Sequence, residues 1–279
     1  MQIGIRALDD TLNLQKNKQP LIQCIPNPSE ELKESIINYY GKSIFSSSLE
    51  EYKELTSKAY SLLISLNDLN ENKIVAIEKS IRVARRNKIP IVLDILGVNT
   101  SFSIKEIALR FINRYNINVV IGKVEEFKIL VLNNNSIENK ENINDKLCED
   151  KALEINLREF SRIYRTLVVL KSDDYYLTDG FSEFYIKRYI SKENKLVGIE
   201  EILSGLISVG VASASNTEES FMCVLVAIMT MAVSEKKAEQ KSLNYGENII
   251  LKNYLVDEVK NINANELSIL SKINYLFRR

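Results

Sequence analysis

A nine-residue apolar run near the middle of the chain constrains the fold more than any other feature. Residues 89–97 are Ile-Pro-Ile-Val-Leu-Asp-Ile-Leu-Gly, a run of mainly β-branched and aliphatic side chains. Such a run predicts a strand buried on both faces, as in a parallel sheet covered by helices. Asp94 and Gly97 end the run, where an open α/β sheet places its ligand crevice. Asp94 is therefore either a cap on the next turn or an acid of a metal or phosphate site.

Strand and helix patterns alternate along most of the chain, which predicts the architecture. Ser29, followed by Glu30 and Glu31, predicts the start of a helix. A hairpin is expected at residues 175–190, ending in an edge strand, and the chain from residue 198 onward is expected to be mostly helical. The polar stretch 133–144 predicts an exposed loop within the domain, because the alternation resumes directly after it. Together these patterns predict a single α/β domain over residues 1–279, with three layers and a mostly parallel sheet.

The composition excludes several kinds of site. The chain has no histidine, which removes Ser-His-Asp and Cys-His arrangements and most zinc sites built on imidazole. The 37 basic and 37 acidic residues balance, so no net charge favours nucleic acid or an anionic membrane. Three widely spaced cysteines are typical of a reduced, intracellular protein. No secretory signal is evident, and the apolar stretch 221–233 is too short for a membrane span, so a cytoplasmic location is expected.

Four stretches of the chain form an ordered set of motifs. They are PLIQCIPN at 20–27, the apolar run at 89–97, VIGKVEE at 120–126, and YLTDG at 176–180 followed by GIEEILSGL at 198–206. Together they resemble the hydroxyethylthiazole kinase family of ribokinase-like enzymes. They follow the family's order and spacing over about residues 10–260. The resemblance implies a ribokinase-like three-layer α/β/α sandwich with a mostly parallel central sheet.

The resemblance also implies a reaction. The family transfers the γ-phosphoryl group of ATP to the primary hydroxyl of a methylthiazole, in thiamine salvage. The resemblance therefore implies that the acceptor is the hydroxyl of 4-methyl-5-(2-hydroxyethyl)thiazole or of a related alcohol. Such chemistry needs a metal ion, donors for the developing charge and a base near the hydroxyl. By resemblance Asp94 and Glu126 are the acids of a Mg²⁺ site, and Glu201 is the catalytic base. A homotrimer with sites between subunits is the implied assembly.

The other site positions of the family fall on residues that often differ from its pattern. The nucleotide-binding positions fall on Ile121, Lys123, Lys171 and Gly198, and the substrate-binding positions on Cys24, Phe45 and Gly198. Ile121 stands where the family has an arginine, and it cannot donate a hydrogen bond. The turn at 198–201 places Glu200 and Glu201 where a phosphate is expected to bind. The alternative is therefore a family member without phosphoryl transfer, acting as a small-molecule binding or regulatory protein.

Each candidate residue also has a structural interpretation. Asp94 and Glu126 could be caps, and Glu201 could complement the dipole of the helix that it begins. Phe45 could belong to the core. Lys123 and Lys171 are expected to be solvated, or paired with Glu125, Glu126 or Asp173, and not to bind ATP.

Overall fold

The computed structural model describes residues 3–67, 69–131, 145–189, 199–242 and 248–277. The described strands are β1 (Leu21–Ile25), β2 (Lys42–Ile44), β3 (Ser61–Ser65), β4 (Ile91–Asp94), β5 (Val119–Lys123), β6 (Leu167–Lys171), β7 (Asp174–Thr178), β8 (Ser182–Lys187) and β9 (Ile273–Phe277). The described helices are α1 (Ile5–Lys18), α2 (Glu30–Asn38), α3 (Tyr52–Lys58), α4 (Glu71–Arg86), α5 (Phe102–Arg114), α6 (Val124–Val131), α7 (Asp145–Tyr164), α8 (Ile199–Ser213), α9 (Thr217–Ser242), α10 (Asn248–Asn261) and α11 (Ala264–Leu270). The predicted loop at 133–144 lies outside the described residues.

The described strands form one sheet in the order β2-β1-β3-β4-β5-β6-β7-β8-β9. The six strands from β2 to β6 in this order run parallel, and β7, β8 and β9 join antiparallel. The mostly parallel sheet is therefore confirmed. The chain order reverses at β1, which has β2 on one side and β3 on the other. The carboxyl ends of β1 and β3 thus flank the switch point at which α/β folds bind ligands.

Helices cover both faces of the sheet, and the residues of β4 show how. Val92 packs in a core with residues of α8 and α9, whereas Ile91 and Leu93 pack in a second core with residues of α4 and α5. Successive strand residues point to opposite faces, so a strand between two cores must be apolar throughout. Every residue of β4 is buried. The apolar run at 89–97 predicted this strand correctly, and the three-layer α/β sandwich is confirmed.

The carboxyl-terminal part of the chain differs from the prediction. β9 pairs antiparallel with β8, so β8 is an inner strand and β9 is the edge. β9 was not predicted from the sequence, because one side of this strand is exposed and its apolar residues do not form a continuous run. Tyr275 packs against the core, but Leu276 is 44% exposed. Such a short alternating edge strand has no continuous apolar run to reveal it.

The apolar part of helix α9 extends beyond residues 221–233, the stretch identified from the sequence. By length and composition alone, Thr217–Lys241 is able to cross a membrane, and 67% of its most apolar window is buried inside the protein. Its contacts are chiefly with α8 and α10, and it packs in the same core as the sheet. A helix that is apolar around its circumference fits the core of a large α/β domain equally well.

Candidate active site at the carboxyl edge of the sheet

A narrow cleft opens at the switch point of the sheet. Its walls come from β1, β3, β4, the loop after β1, α2 and α8. The lining residues are Cys24, Ile25, Pro26, Asn27, Pro28, Leu32, Leu63, Ser65, Asp94, Glu201 and Ser204. The cavity volume is about 30 Å³, which is more than one water molecule requires, and the cleft is open to solvent.

Asp94 ends β4 at the base of the cleft, and its carboxylate is held from several sides. Its Oδ1 accepts a hydrogen bond from the Leu96 backbone N–H at 3.1 Å, so it does cap the turn after the strand. Its Oδ2 accepts a hydrogen bond of 2.5 Å from Ser204 Oγ on α8. Lys171 Nζ lies 3.3 Å from Oδ2 and 3.5 Å from Oδ1. The cap interpretation of Asp94 is confirmed, and the same carboxylate also lines the cleft.

The position of Lys171 corrects one expectation. It was expected to be solvated or paired with Glu125, Glu126 or Asp173, but it is 6% exposed and its Nζ forms an ion pair with Asp94. Asp94 pairs with Ile121 in the sheet register, Ile121 pairs with Val169, and Lys171 lies two residues further along the same strand. All four residues therefore share one face of the sheet. The strands β4 and β6 lie roughly 10 Å apart across β5, and the long lysine side chain closes that gap.

Glu126 ties the turn after β4 to the start of α6. It is the third residue of α6, and its Oε2 accepts a hydrogen bond of 2.8 Å from the Lys123 backbone N–H. This contact is the reciprocal half of a capping box. Its Oε1 accepts one of 3.2 Å from the Gly97 N–H, where the backbone φ is +89°. The cap interpretation of Glu126 is confirmed. Burial raises the pKa of this carboxyl, and the two backbone donors oppose the shift.

Glu201 is the third residue of α8 and reaches the cleft opposite the end of β1. Its side chain is partly buried, and its Oε2 accepts a hydrogen bond of 3.3 Å from Ser29 Oγ. Burial raises the pKa of Glu201, and the negative charge of Asp94 raises it further. A carboxylate with a raised pKa in a cleft is typical of a general base.

The thiol of Cys24 faces the same cleft. It is buried, and burial together with the charge of Glu201 raises its pKa to about 12. The thiol therefore stays protonated at neutral pH and is not a nucleophile.

Three other predicted site residues, Ile121, Lys123 and Phe45, do not line the cleft. Ile121 is fully buried in the core, so its side chain offers no surface to a ligand. Lys123 ends β5 and is the register partner of Lys171. Phe45 is 38% exposed beneath the Lys33 ammonium, 4.6 Å from its ring centroid, so it is neither core nor part of the cleft lining. Gly198 lies outside the described residues. The site roles predicted for these four residues stay predictions.

Two serines of the site were missed by sequence reasoning. Ser204 holds Asp94, and Ser29 holds Glu201. Ser204 follows Glu201 by three residues, the spacing that places two side chains on the same face of a helix. That spacing was the available signal for Ser204. For Ser29 the available signal was only its predicted role at the start of α2, which says nothing about Glu201.

The donor set of Asp94 and Glu126 does not fit a metal ion held by this pair. Asp94 already meets an ammonium, a hydroxyl and a backbone N–H, and both oxygens of Glu126 accept backbone N–H groups. Mg²⁺ is usually held by one or two carboxylates together with waters and substrate phosphates, so each carboxylate must offer a lone pair that is not already shared. Each oxygen of Asp94 already has two contacts, which use the roughly four lone-pair sites of a carboxylate. Among the residues that the structure describes, no three His, Cys, Asp or Glu side chains converge as a metal-binding group.

Comparison with known proteins gives a family for this chain and a related fold. The model of the hydroxyethylthiazole kinase family matches residues 12–265. A hydroxyethylthiazole kinase of Clostridium perfringens is 25% identical over 262 residues, which are 93% of this chain and 98% of the relative. The solved structure of a hydroxyethylthiazole kinase protein from Pyrococcus horikoshii OT3 has a TM-score of 0.82 at 18% identity, covering 97% of this chain and 99% of its own.

A second solved structure agrees on the fold. A ribokinase-like superfamily protein from Enterococcus faecalis has a TM-score of 0.61 at 12% identity, covering 94% of this chain and 96% of its own. The fold is therefore ribokinase-like. Because the family model spans most of its length, this chain belongs to the hydroxyethylthiazole kinase family.

Proposed function

We propose that this chain is an ATP-dependent kinase that phosphorylates the hydroxyl of 4-methyl-5-(2-hydroxyethyl)thiazole or a related small alcohol. Membership of the family supports the class of reaction. The observation that carries the assignment is Glu201, a partly buried carboxylate with a raised pKa in the cleft at the switch point of the sheet. The substrate and a place in thiamine salvage come from the family alone.

Glu201 acts as the general base in this proposal. The alcohol oxygen forms a bond to the γ-phosphorus of ATP, and the bond from that phosphorus to the β–γ bridging oxygen breaks, releasing ADP. The hydroxyl proton passes to the Glu201 carboxylate. A raised pKa suits this role because it makes the carboxylate a stronger proton acceptor. Ser29 and Ser204 are positioning residues, since they hold Glu201 and Asp94.

The phosphates of ATP need positive charge and N–H donors at this edge of the sheet. Lys123 and Lys171 end the neighbouring strands β5 and β6 and are register partners. The first turn of any helix, including α8, has backbone N–H groups without partners inside the helix, and such groups favour a bound phosphate. Glu201 lies in this first turn and opposes the phosphate charge, and each lysine offsets such repulsion as a point charge. We place ATP here by this charge distribution. No step of the proposal uses a protein-held Mg²⁺, because the contacts of Asp94 and Glu126 do not fit one.

The decisive experiment measures ADP release with ATP and the thiazole alcohol, comparing wild type with Glu201→Gln. Loss of a general base lowers the rate by roughly 10²- to 10⁴-fold. Glu218→Gln is the matched control, since Glu218 is an exposed acid in the first turn of α9. We expect this control to keep wild-type turnover. Equal turnover by Glu201→Gln, or no turnover by folded wild type over a range of small alcohols, contradicts the proposal.

A homotrimer and a cytoplasmic location complete the proposal. The trimer rests on the family resemblance, whereas the location rests on the expectation from the sequence and on the ribokinase-like fold. Sedimentation equilibrium of the purified protein tests the assembly, and a mass other than three times 31.9 kDa contradicts the trimer. Fractionation of the source cells tests the location.

A further inference from the structure

The buried ion pair of Lys171 and Asp94 is the feature that the proposed function does not yet explain. The side chains of Lys171 and Asp94 are 4% and 2% exposed, and Nζ lies within 3.5 Å of both carboxylate oxygens. A buried charge needs a partner of opposite sign to persist. Here the partner of the cleft carboxylate is a side chain of the protein itself.

The remaining bonding capacity of Asp94 is small. A carboxylate offers about four lone-pair sites. The contacts from Lys171, Ser204 and the Leu96 N–H occupy both oxygens. A metal cation that bound the Asp94 carboxylate would have to displace Lys171 or lie close to its ammonium, where like charges repel each other.

The second acid of the predicted metal pair is buried and holds two backbone groups. Glu126 is 2% exposed, and its two oxygens accept the backbone N–H groups of Lys123 and Gly97. Burial raises the pKa of Glu126 and of Glu201, and the ammonium of Lys171 opposes that rise in both. The same ammonium therefore acts on three carboxyl groups at this edge of the sheet.

We infer that the Lys171 ammonium is the resident cation of this site, so that Asp94 and Glu126 do not hold a divalent metal ion. The inference deepens the proposed function and rests on it, since Lys171 sets the charge balance where the phosphates of ATP are proposed to bind. A lysine cation cannot leave with the product and cannot be removed by a chelator. The site where the phosphates of ATP are proposed to bind therefore contains a positive charge that belongs to the protein itself.

The test is a titration with Mn²⁺ alone, which stands in for Mg²⁺, followed by the electron paramagnetic resonance signal of free Mn²⁺. Neither nucleotide nor alcohol is present, so the result is independent of turnover. We expect no stoichiometric binding to wild type and no change in its Tm between Mn²⁺ and a chelator. Lys171→Thr removes the ammonium, and it should bind Mn²⁺ at least about tenfold more tightly than wild type.

Lys187→Thr is the matched control. Lys187 ends β8 at the same edge of the sheet as Lys171, but its side chain is exposed. We expect its Mn²⁺ binding to equal that of wild type.

Two results overturn the inference. One is the binding of one Mn²⁺ per wild-type chain, and the other is a folded Lys171→Thr that binds Mn²⁺ no better than wild type. If Lys171→Thr does not fold, the wild-type measurements decide alone. One Mn²⁺ bound per wild-type chain, or a Tm that differs between Mn²⁺ and a chelator, overturns the inference. Failure of the proposed function has a different signature, which is the absence of ADP release in the kinase assay whatever the Mn²⁺ result.

Discussion

The hydroxyl of Ser29 donates a 3.3 Å hydrogen bond to Oε2 of Glu201 and thereby joins the start of α2 to the start of α8. The same Oγ accepts the Leu32 backbone N–H at 3.3 Å, which is the N-cap contact of α2. One side chain therefore begins a helix and positions the proposed base. Stability and the ionisation of Glu201 are coupled at this point.

Ser29→Ala tests that coupling. Loss of an N-cap costs about 1 kcal/mol of unfolding free energy. The Ser29 hydrogen bond favours ionised Glu201, so its loss raises the pKa of Glu201. We expect the acid limb of the pH–rate profile to move to higher pH, together with a lower midpoint in urea. Ser29→Thr keeps the hydroxyl and should restore both. An unmoved acid limb in a destabilised Ser29→Ala would show that the hydrogen bond does not act on Glu201.

The pH dependence of stability gives a second prediction about Glu201. Its pKa is higher in the folded protein than in the unfolded chain. Over the interval between the two pKa values the folded state binds more protons, so the unfolding free energy falls as pH rises. Glutamine does not titrate, so the unfolding free energy of Glu201→Gln does not fall with pH for this reason. We expect Glu201→Gln to gain stability relative to wild type as pH rises from 4 to 8, measured by urea unfolding at each pH. A constant difference would contradict the raised pKa.

Much of the fold was predictable because the controlling interactions are local or periodic. The run at 89–97 is apolar on both faces, and β4 is indeed buried between two helical cores. Ser29 was predicted to begin a helix, and its side chain caps α2. Glu126 had a cap interpretation and makes the cap contact. In these cases, neighbouring residues along the chain determine the structure.

The charge arrangement of the site was not predictable from the sequence alone. Lys171 and Asp94 are 77 residues apart in the chain. Their contact depends on the register of β4, β5 and β6, which brings them to one face on either side of Ile121. The acids proposed as partners of Lys171 were Glu125, Glu126 and Asp173, whereas the strand register brings its ammonium to Asp94. The edge strand β9 was missed for a similar reason, because its pairing with β8 defines it.

Glu126→Gln separates a structural role from a ligand role. A glutamine keeps one carbonyl acceptor and places an NH₂ group against one of the two N–H donors that Glu126 accepts. Leaving a buried donor unsatisfied costs roughly 1–3 kcal/mol. We expect a loss of that size in guanidinium unfolding. Glu125→Gln is the control, because Glu125 precedes it on α6 and is exposed. A fully stable Glu126→Gln would contradict the structural role.

The Lys171–Asp94 pair is best tested by a double-mutant cycle of Lys171→Met and Asp94→Asn. Removing one partner of a buried ion pair typically costs 3–5 kcal/mol, roughly, because the other charge stays buried. Either single variant should therefore lose roughly that much unfolding free energy. The double variant buries no unpaired charge, so we expect its loss to be smaller than the sum of the single losses by at least about 1 kcal/mol. Lys187→Met, at the exposed end of β8, should stay within about 0.5 kcal/mol of wild type. Guanidinium unfolding of the four variants provides the measurement, and additive losses would show that the two charges do not stabilise one another.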